Sequence, residues 1–148
     1  MTCHEYFLNS ECAECDTRSK VVAQENRCTY IGLNKDRKAV CRVHVDGCLI
    51  KDRKRCDYLI LNCDDQVAFF IELGRKDPHD AIHQIEPSID KLQNHLQNFR
   101  INARAVLVNV RVPNFRNTPA FLHFDKQLKR LGGSFDVRTR EFIESVND

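Results

Sequence analysis

Apolar and polar positions change rhythm several times along this chain. Between residues 56 and 73 two apolar runs, CDYLILN and VAFFIEL, flank the polar stretch Cys63-Asp64-Asp65-Gln66. Short runs rich in β-branched, aromatic and aliphatic side chains, split by turn-forming residues, predict the two strands of an antiparallel hairpin. A two-residue loop (Asp64-Asp65) and a four-residue loop (63–66) lead to the same register, which pairs Asn62 with Val67 and sets Asp57 opposite Glu72. Facing side chains on such a pair lie about 5 Å apart at Cβ, where like charges repel. A divalent cation between the two carboxylates would relieve that repulsion. Leu59, Leu61, Ala68 and Phe70 share the face of the acids, while Tyr58, Ile60, Phe69 and Ile71 line the other. Both faces are apolar, so both should be covered, as in a sheet between helices.

The flanking segments extend this pattern. Residues 39–45 alternate as a strand, and Asp46-Gly47 predicts a hairpin turn into Cys48-Leu49-Ile50. Asp77-Pro78 reads as N-cap and first helical position, followed by Ile82, Ile85, Ile89, Leu92, Leu96 and Phe99 at steps of three and four. Pro87 should kink or divide that helix at Glu86. Residues 103–112 predict a buried strand, parallel to one in the sheet because a helix intervenes. Thr118-Pro119 opens a second helix through Phe121, Phe124, Leu128 and Leu131, stopped by Gly132-Gly133; residues 135–142 predict an edge strand before a polar tail. Residues 1–38 show only two short apolar patches, Val21-Val22-Ala23 and 30–33, compatible with a short helix and a strand. The fold class expected is therefore α/β: a mixed central sheet, an antiparallel meander plus a parallel crossover strand, flanked by helices. The 148 residues suit one domain, with 1–38 an irregular Cys-containing segment and 39–148 the core.

Charge and cysteine content add candidate chemistry. A net charge of +2 is too small to announce a polyanion partner, but Lys51, Arg53, Lys54 and Arg55 crowd around one acid. They form either a solvated basic loop or a cation cluster beside Asp57 and Glu72. No apolar run reaches membrane-spanning length and the N-terminal residues lack a signal-peptide pattern, so a cytoplasmic location is expected. In that compartment eight cysteines point to metal binding or burial rather than disulfides. Cys41, Cys48, Cys56 and Cys63 fall in or beside strands and read as core residues. Cys12-Ala-Glu-Cys15 has zinc-knuckle spacing, and Cys3 and Cys28 would complete a structural Zn2+ site; unliganded thiols are the alternative. His79 and His83, four apart on a helix, are either surface residues or a ligand pair.

An Asp at the start of one strand and a Glu-x-Lys at the end of the next characterise the PD-(D/E)xK nuclease superfamily, which includes restriction enzymes and archaeal Holliday-junction resolvases. The chain resembles it in element order over residues 39–112, with Asp57 matching the Asp and Glu72 the Glu. Gly74 stands where the Lys is expected, within Glu-Leu-Gly-Arg-Lys, and Cys56 stands before Asp57 where the pattern has proline. The resemblance implies a nuclease that hydrolyses phosphodiester bonds of DNA or RNA, with Asp57 and Glu72 holding Mg2+ or Mn2+. Lys76, or failing that Arg75, would replace the missing amine, since 72, 74 and 76 share a strand face. Arg53, Lys54, Arg55 and Arg75 would hold the nucleic-acid backbone. Members often add an acid from before the sheet, for which Glu11, Glu14 and Glu25 are candidates, and some carry a helix glutamine, here Gln84. On this reading Gly74→Lys should raise activity. Two rivals remain: a nuclease-like module that binds nucleic acid or protein without cutting, and a zinc-stabilised interaction domain. Nucleic acid is the expected partner, a homodimer is left open, and no membrane is involved.

Overall fold

The computed structural model describes Phe7 and residues 10–109 and 115–148. In chain order the strands are β1 (Ala13–Asp16), β2 (Lys20–Glu25), β3 (Cys28–Leu33), β4 (Val40–His44), β5 (Tyr58–Asn62) and β6 (Val67–Leu73). Helix α1 (Pro78–Leu92), β7 (Arg100–Leu107), α2 (Pro119–Arg130), β8 (Phe135–Thr139) and β9 (Glu141–Ser145) follow. The class is α/β, and the main sheet is mixed. Its six strands run in the order β1-β4-β5-β6-β7-β8, antiparallel through β6 and parallel from β6 to β8. The central hairpin has the expected register, with Asn62 opposite Val67 and Tyr58 opposite Ile71 across a four-residue turn. Gln66 closes that turn with φ of 57°.

The two faces of this sheet are covered differently. Leu59, Leu61, Ala68 and Phe70 pack with Ile82, Ile85 and Ile89 of α1 and Phe121 and Phe124 of α2. The opposite face, with Ile60, Phe69 and Ile71, packs against a second sheet of three strands, β2-β3-β9. Among the described residues, helices therefore cover one face only. The segment expected to be irregular supplies β1, β2 and β3, because Asn26 and Arg27 (φ 52° and 65°) make a two-residue turn that closes the β2–β3 hairpin at Glu25 and Cys28. The predicted edge strand over 135–142 is two strands: at Arg140, with φ of 64°, the chain leaves the main sheet as β8 and enters the small one as β9, parallel to β3. Arg104 ties the layers together. Its Nε donates to Glu144 Oε2 at 2.7 Å, Tyr30 Oη donates to the same oxygen at 2.8 Å, and its guanidinium lies 5.7 and 5.6 Å from the Phe69 and Phe142 rings.

Other expectations are refined. Asp77 and Thr118 cap α1 and α2 as expected, accepting from the amides of His79 and Phe121. Helix α1 runs past Pro87 undivided. After Asp46-Gly47 the chain forms turns rather than a strand, with Ile50 buried. Strand β7 begins at Arg100, and positions 110–112 of the predicted strand lie outside the described residues.

The cysteines depart most from expectation. Cys12 is bonded to Cys48 and Cys15 to Cys41; Cys63 is disulfide-bonded as well. Cys15 and Cys41 face each other across β1 and β4. Loops of 36 and 26 residues closed in this way each limit the unfolded chain by ~3–4 kcal/mol in the chain-entropy treatment. The zinc set Cys3, Cys12, Cys15, Cys28 is thereby corrected: sulfurs committed to disulfides offer no thiolate, Cys28 is free but buried, and Cys3 lies outside the described residues. Of the four cysteines assigned to core packing, Cys41, Cys56 and Cys63 are buried in the core and Cys48 is half-buried; Cys56 is the free thiol among them.

Candidate functional site

Asp57 enters the site at the mouth of the central hairpin. Its amide donates to the Ile71 carbonyl at 3.0 Å, its own carbonyl accepts from the Val45 amide at 3.0 Å, and Oδ2 accepts from the Leu73 amide at 2.7 Å. Glu72 stands beside it at the end of β6, 2% exposed. Glu72 Oε2 accepts from Arg75 Nε at 2.8 Å, while Oε1 is buried with no hydrogen-bond partner. Burial and then the Asp57 charge push the Glu72 carboxyl up to about 8, against the pull of Arg75. Asp57 is pushed up to about 7 by burial first, with the Glu25 and Asp46 charges adding to it and the Leu73 amide opposing. Such a pair holds protons at neutral pH unless a cation takes their place.

Two further acids complete the cluster. Carboxylate oxygens of Glu25, Asp46 and Asp57 lie within 4.8 Å of one another. Glu25 comes from the end of β2, and its Oε2 is also buried without a partner. Of the three acids open at the sequence level the fold selects this one: Glu11 is exposed in a turn, and Glu14 pairs with Arg42 at 2.6 Å. Asp46 reads in the sequence only as a turn residue, although an acid opening a basic segment after a strand is a signal that could mark it. It comes from the loop after β4, where its Oδ1 accepts from Arg55 Nε at 2.7 Å.

Gly74 explains how Glu25 arrives. The tip of the β2–β3 hairpin docks on the end of β6, where Asn26 Nδ2 donates to the Leu73 carbonyl at 3.3 Å. A Cβ on Gly74 would lie 2.3 Å from Asn26 Cβ, and Gly74 has φ of +91°. The missing side chain is a condition of the contact. This corrects the expectation that lysine at 74 would fit and restore an amine. Lys76 is not on the strand face either: β6 ends at Leu73 and Lys76 is exposed. Arg75 reaches Glu72, as Arg55 reaches Asp46.

No family model, curated protein or solved structure matched the chain in comparison with known proteins. The chemistry of the site therefore rests on its own geometry.

Two of these acids, Asp46 and Asp57, line a cleft of about 470 Å³ together with Lys51, Asp52, Arg53, Lys54, Arg55, Arg75 and Gln84. Lys51 to Arg55 and Arg75 thus share one cleft with Asp57, and Gln84 joins them from α1, its Oε1 accepting from the Arg55 amide at 3.4 Å. His79 and His83 stand apart from the acid group: His79 Nδ1 lies 3.2 Å from Asp77 Oδ1 and its ring edges Phe115, while His83 is exposed. The hard-oxygen set of Glu25, Asp46 and Asp57, in which Glu25 has an oxygen without a donor, is flanked by cations and fits a divalent cation such as Mg2+ or Mn2+; the donor-less oxygen of Glu72 lies outside that set.

Proposed function

We propose that the chain is a divalent-metal-dependent phosphodiesterase acting on DNA or RNA. The observation that carries this is the acid triad Glu25, Asp46 and Asp57, with Glu72 next to Asp57, where Asp46 and Asp57 line a cleft holding five Lys and Arg side chains. Glu25, Asp46 and Asp57 would hold the ion, and Glu72 would face it from the far flank of Asp57. An ion so held supplies charge for a scissile phosphate and an acidified water. The chain's own residues do the rest. Lys51, Arg53 and Lys54 meet neighbouring phosphates, a contact that positions without reading sequence. Arg75 fixes the Glu72 carboxylate at one oxygen and leaves the other free. Asp57 and Glu72 must give up their protons for the site to charge, so activity should rise with pH through about 7 to about 8.

The test is cleavage of single- and double-stranded DNA and RNA with Mg2+ or Mn2+, against chelator and against Asp57→Asn. Metal-dependent cleavage lost in the variant is expected; equal cleavage by parent and variant would reject the assignment. A second reading is favoured by Gly74 and Lys76: position 74 carries no amine, Lys76 lies off the strand face, and Arg75 is already paired. On that reading the cleft binds nucleic acid without cutting, and metal-dependent binding without cleavage would establish it.

Among the described residues no helix is long and apolar enough to cross a membrane. Cys12, Cys15, Cys41, Cys48 and Cys63 are all held in disulfides. Such bonds persist in oxidising surroundings or in intracellular proteins of hyperthermophiles, and we place the working compartment there rather than in an ordinary cytoplasm.

A further inference from the structure

The basic segment that lines the cleft begins and ends at one ion pair. Asp46 opens it, Arg55 closes it, and Arg55 Nε donates to Asp46 Oδ1 at 2.7 Å. Residues 45–50 are folded onto the end of β4. The Val45 amide donates to the Asp57 carbonyl and the Ile50 amide to the Val45 carbonyl, both at 3.0 Å. Ile50 is buried, and Cys48 is bonded to Cys12. Residues 51–54 differ. They are exposed, and among the described residues their backbone makes none of the backbone–backbone bonds that hold 45–50. Lys51, Arg53 and Lys54 therefore sit on a stretch of cleft wall held by Arg55 Nη1 on the Arg53 carbonyl at 2.7 Å and by the exposed Asp52–Lys91 pair at 3.7 Å rather than by a backbone ladder, the kind of segment that opens at little cost.

Asp46 looks both ways. Oδ1 is held by Arg55 at the neck of this loop, and the carboxylate also belongs to the cluster with Glu25 and Asp57. Beyond Asp57, the buried Glu72 carries an oxygen with no donor. Once Asp57 and Glu72 have given up their protons, four carboxylates against Arg55 and Arg75 leave a formal excess of two negative charges beside Lys51, Arg53 and Lys54. One divalent cation cancels that excess.

We propose that Asp46 is a ligand of the divalent ion, and that through the Asp46–Arg55 pair the filled site fixes the basic loop 46–55 for gripping a polyanionic backbone. This rests on the metal-site reading above. An Asp46 carboxylate bound at once to the ion and to Arg55 holds the neck of the loop still. The entropy of ordering 51–54 is then already spent when a polyanion arrives. Ion and polyanion must strengthen each other by the same factor, and coupled sites commonly do so by about 5–150-fold.

The test uses Mn2+ alone and a short phosphorothioate single strand as probes. Amide hydrogen exchange over 47–55 is measured with and without saturating Mn2+, and strand affinity under the same two conditions. In the parent, Mn2+ should slow exchange at 51–54 and tighten the strand about tenfold. Asp46→Asn, at Mn2+ levels that saturate its own site, should show neither effect. Should that variant lose Mn2+ altogether, Arg55→Gln decides. It keeps every carboxylate but cuts the loop from Asp46, and also loses the Arg55 bond to the Arg53 carbonyl; compared with and without Mn2+ in the variant itself, it should bind Mn2+ without slowing the loop. Unchanged exchange in the parent on Mn2+ binding overturns the proposal, as does full slowing in Arg55→Gln. A parent whose loop slows with Mn2+ but binds no strand refutes the nucleic-acid reading and upholds the metal–loop link. A parent that binds no Mn2+ overturns both.

Discussion

Replacing Asp57 by Asn should stabilise the metal-free protein, and only at high pH. In the folded state burial and neighbouring charge raise the Asp57 carboxyl from its ordinary 3.8 to about 7 and that of Glu72 from 4.5 to about 8. The folded protein therefore keeps protons that the unfolded chain has released. Stability falls as pH rises from about 4 to about 8, levels off above that, and is unaffected by this pair below about 4. For Asp57, the step from 3.8 to about 7 corresponds at 1.36 kcal/mol per pH unit to ~4 kcal/mol of penalty above pH 8. Removing the charge also eases Glu72, for which Asp57 is the second cause of the shift. Against this, a neutral Asn oxygen accepts the Leu73 amide less strongly than the carboxylate does at 2.7 Å. A net gain of ~2–4 kcal/mol near pH 9 in chelator is expected, a rise in Tm of ~5–15 °C, with no difference near pH 4. Urea or thermal unfolding across that range measures it. Saturating Mn2+ should reverse the ranking, because only the intact cluster gains binding free energy on folding. A variant less stable than the parent near pH 9 in chelator, or a parent that gains stability between about pH 5 and 8, would refute the coupling of these two carboxyls.

Gly74→Ala should cost ~2–3 kcal/mol in urea unfolding, since the left-handed backbone and the Asn26 contact both resist a Cβ; Gly74→Lys should unfold as readily and show no gain in cleavage. Arg75→Gln should lower cleavage by ~10²-fold or more and move its pH profile upward, because Glu72 loses the cation that opposes its protonation. Lys76→Ala, in an exposed residue outside the cleft, should leave rate and profile as they were.

Local chemistry makes much of the fold legible. The hairpin register follows from turn length and the two-residue period of strands, so the sequence alone sets Asp57 and Glu72 side by side. Asp77-Pro78 and Thr118-Pro119 mark both helix starts because capping is satisfied within one turn of chain. The rest depends on contacts far apart in sequence. Apolar side chains on a sheet face demand cover without specifying whether helices or strands supply it, and the small sheet provides it for one face. Cysteine spacing within residues 12–15 does not reveal that β1 pairs with β4, the adjacency that makes Cys15 and Cys41 a disulfide. Glu25 and Asp46 are ordinary acids in the sequence; they become site residues because the β2–β3 tip docks over Gly74 and the loop after β4 closes on Asp57. The strands are written in the period of their side chains, whereas the cluster is decided by which strand ends the tertiary fold brings together.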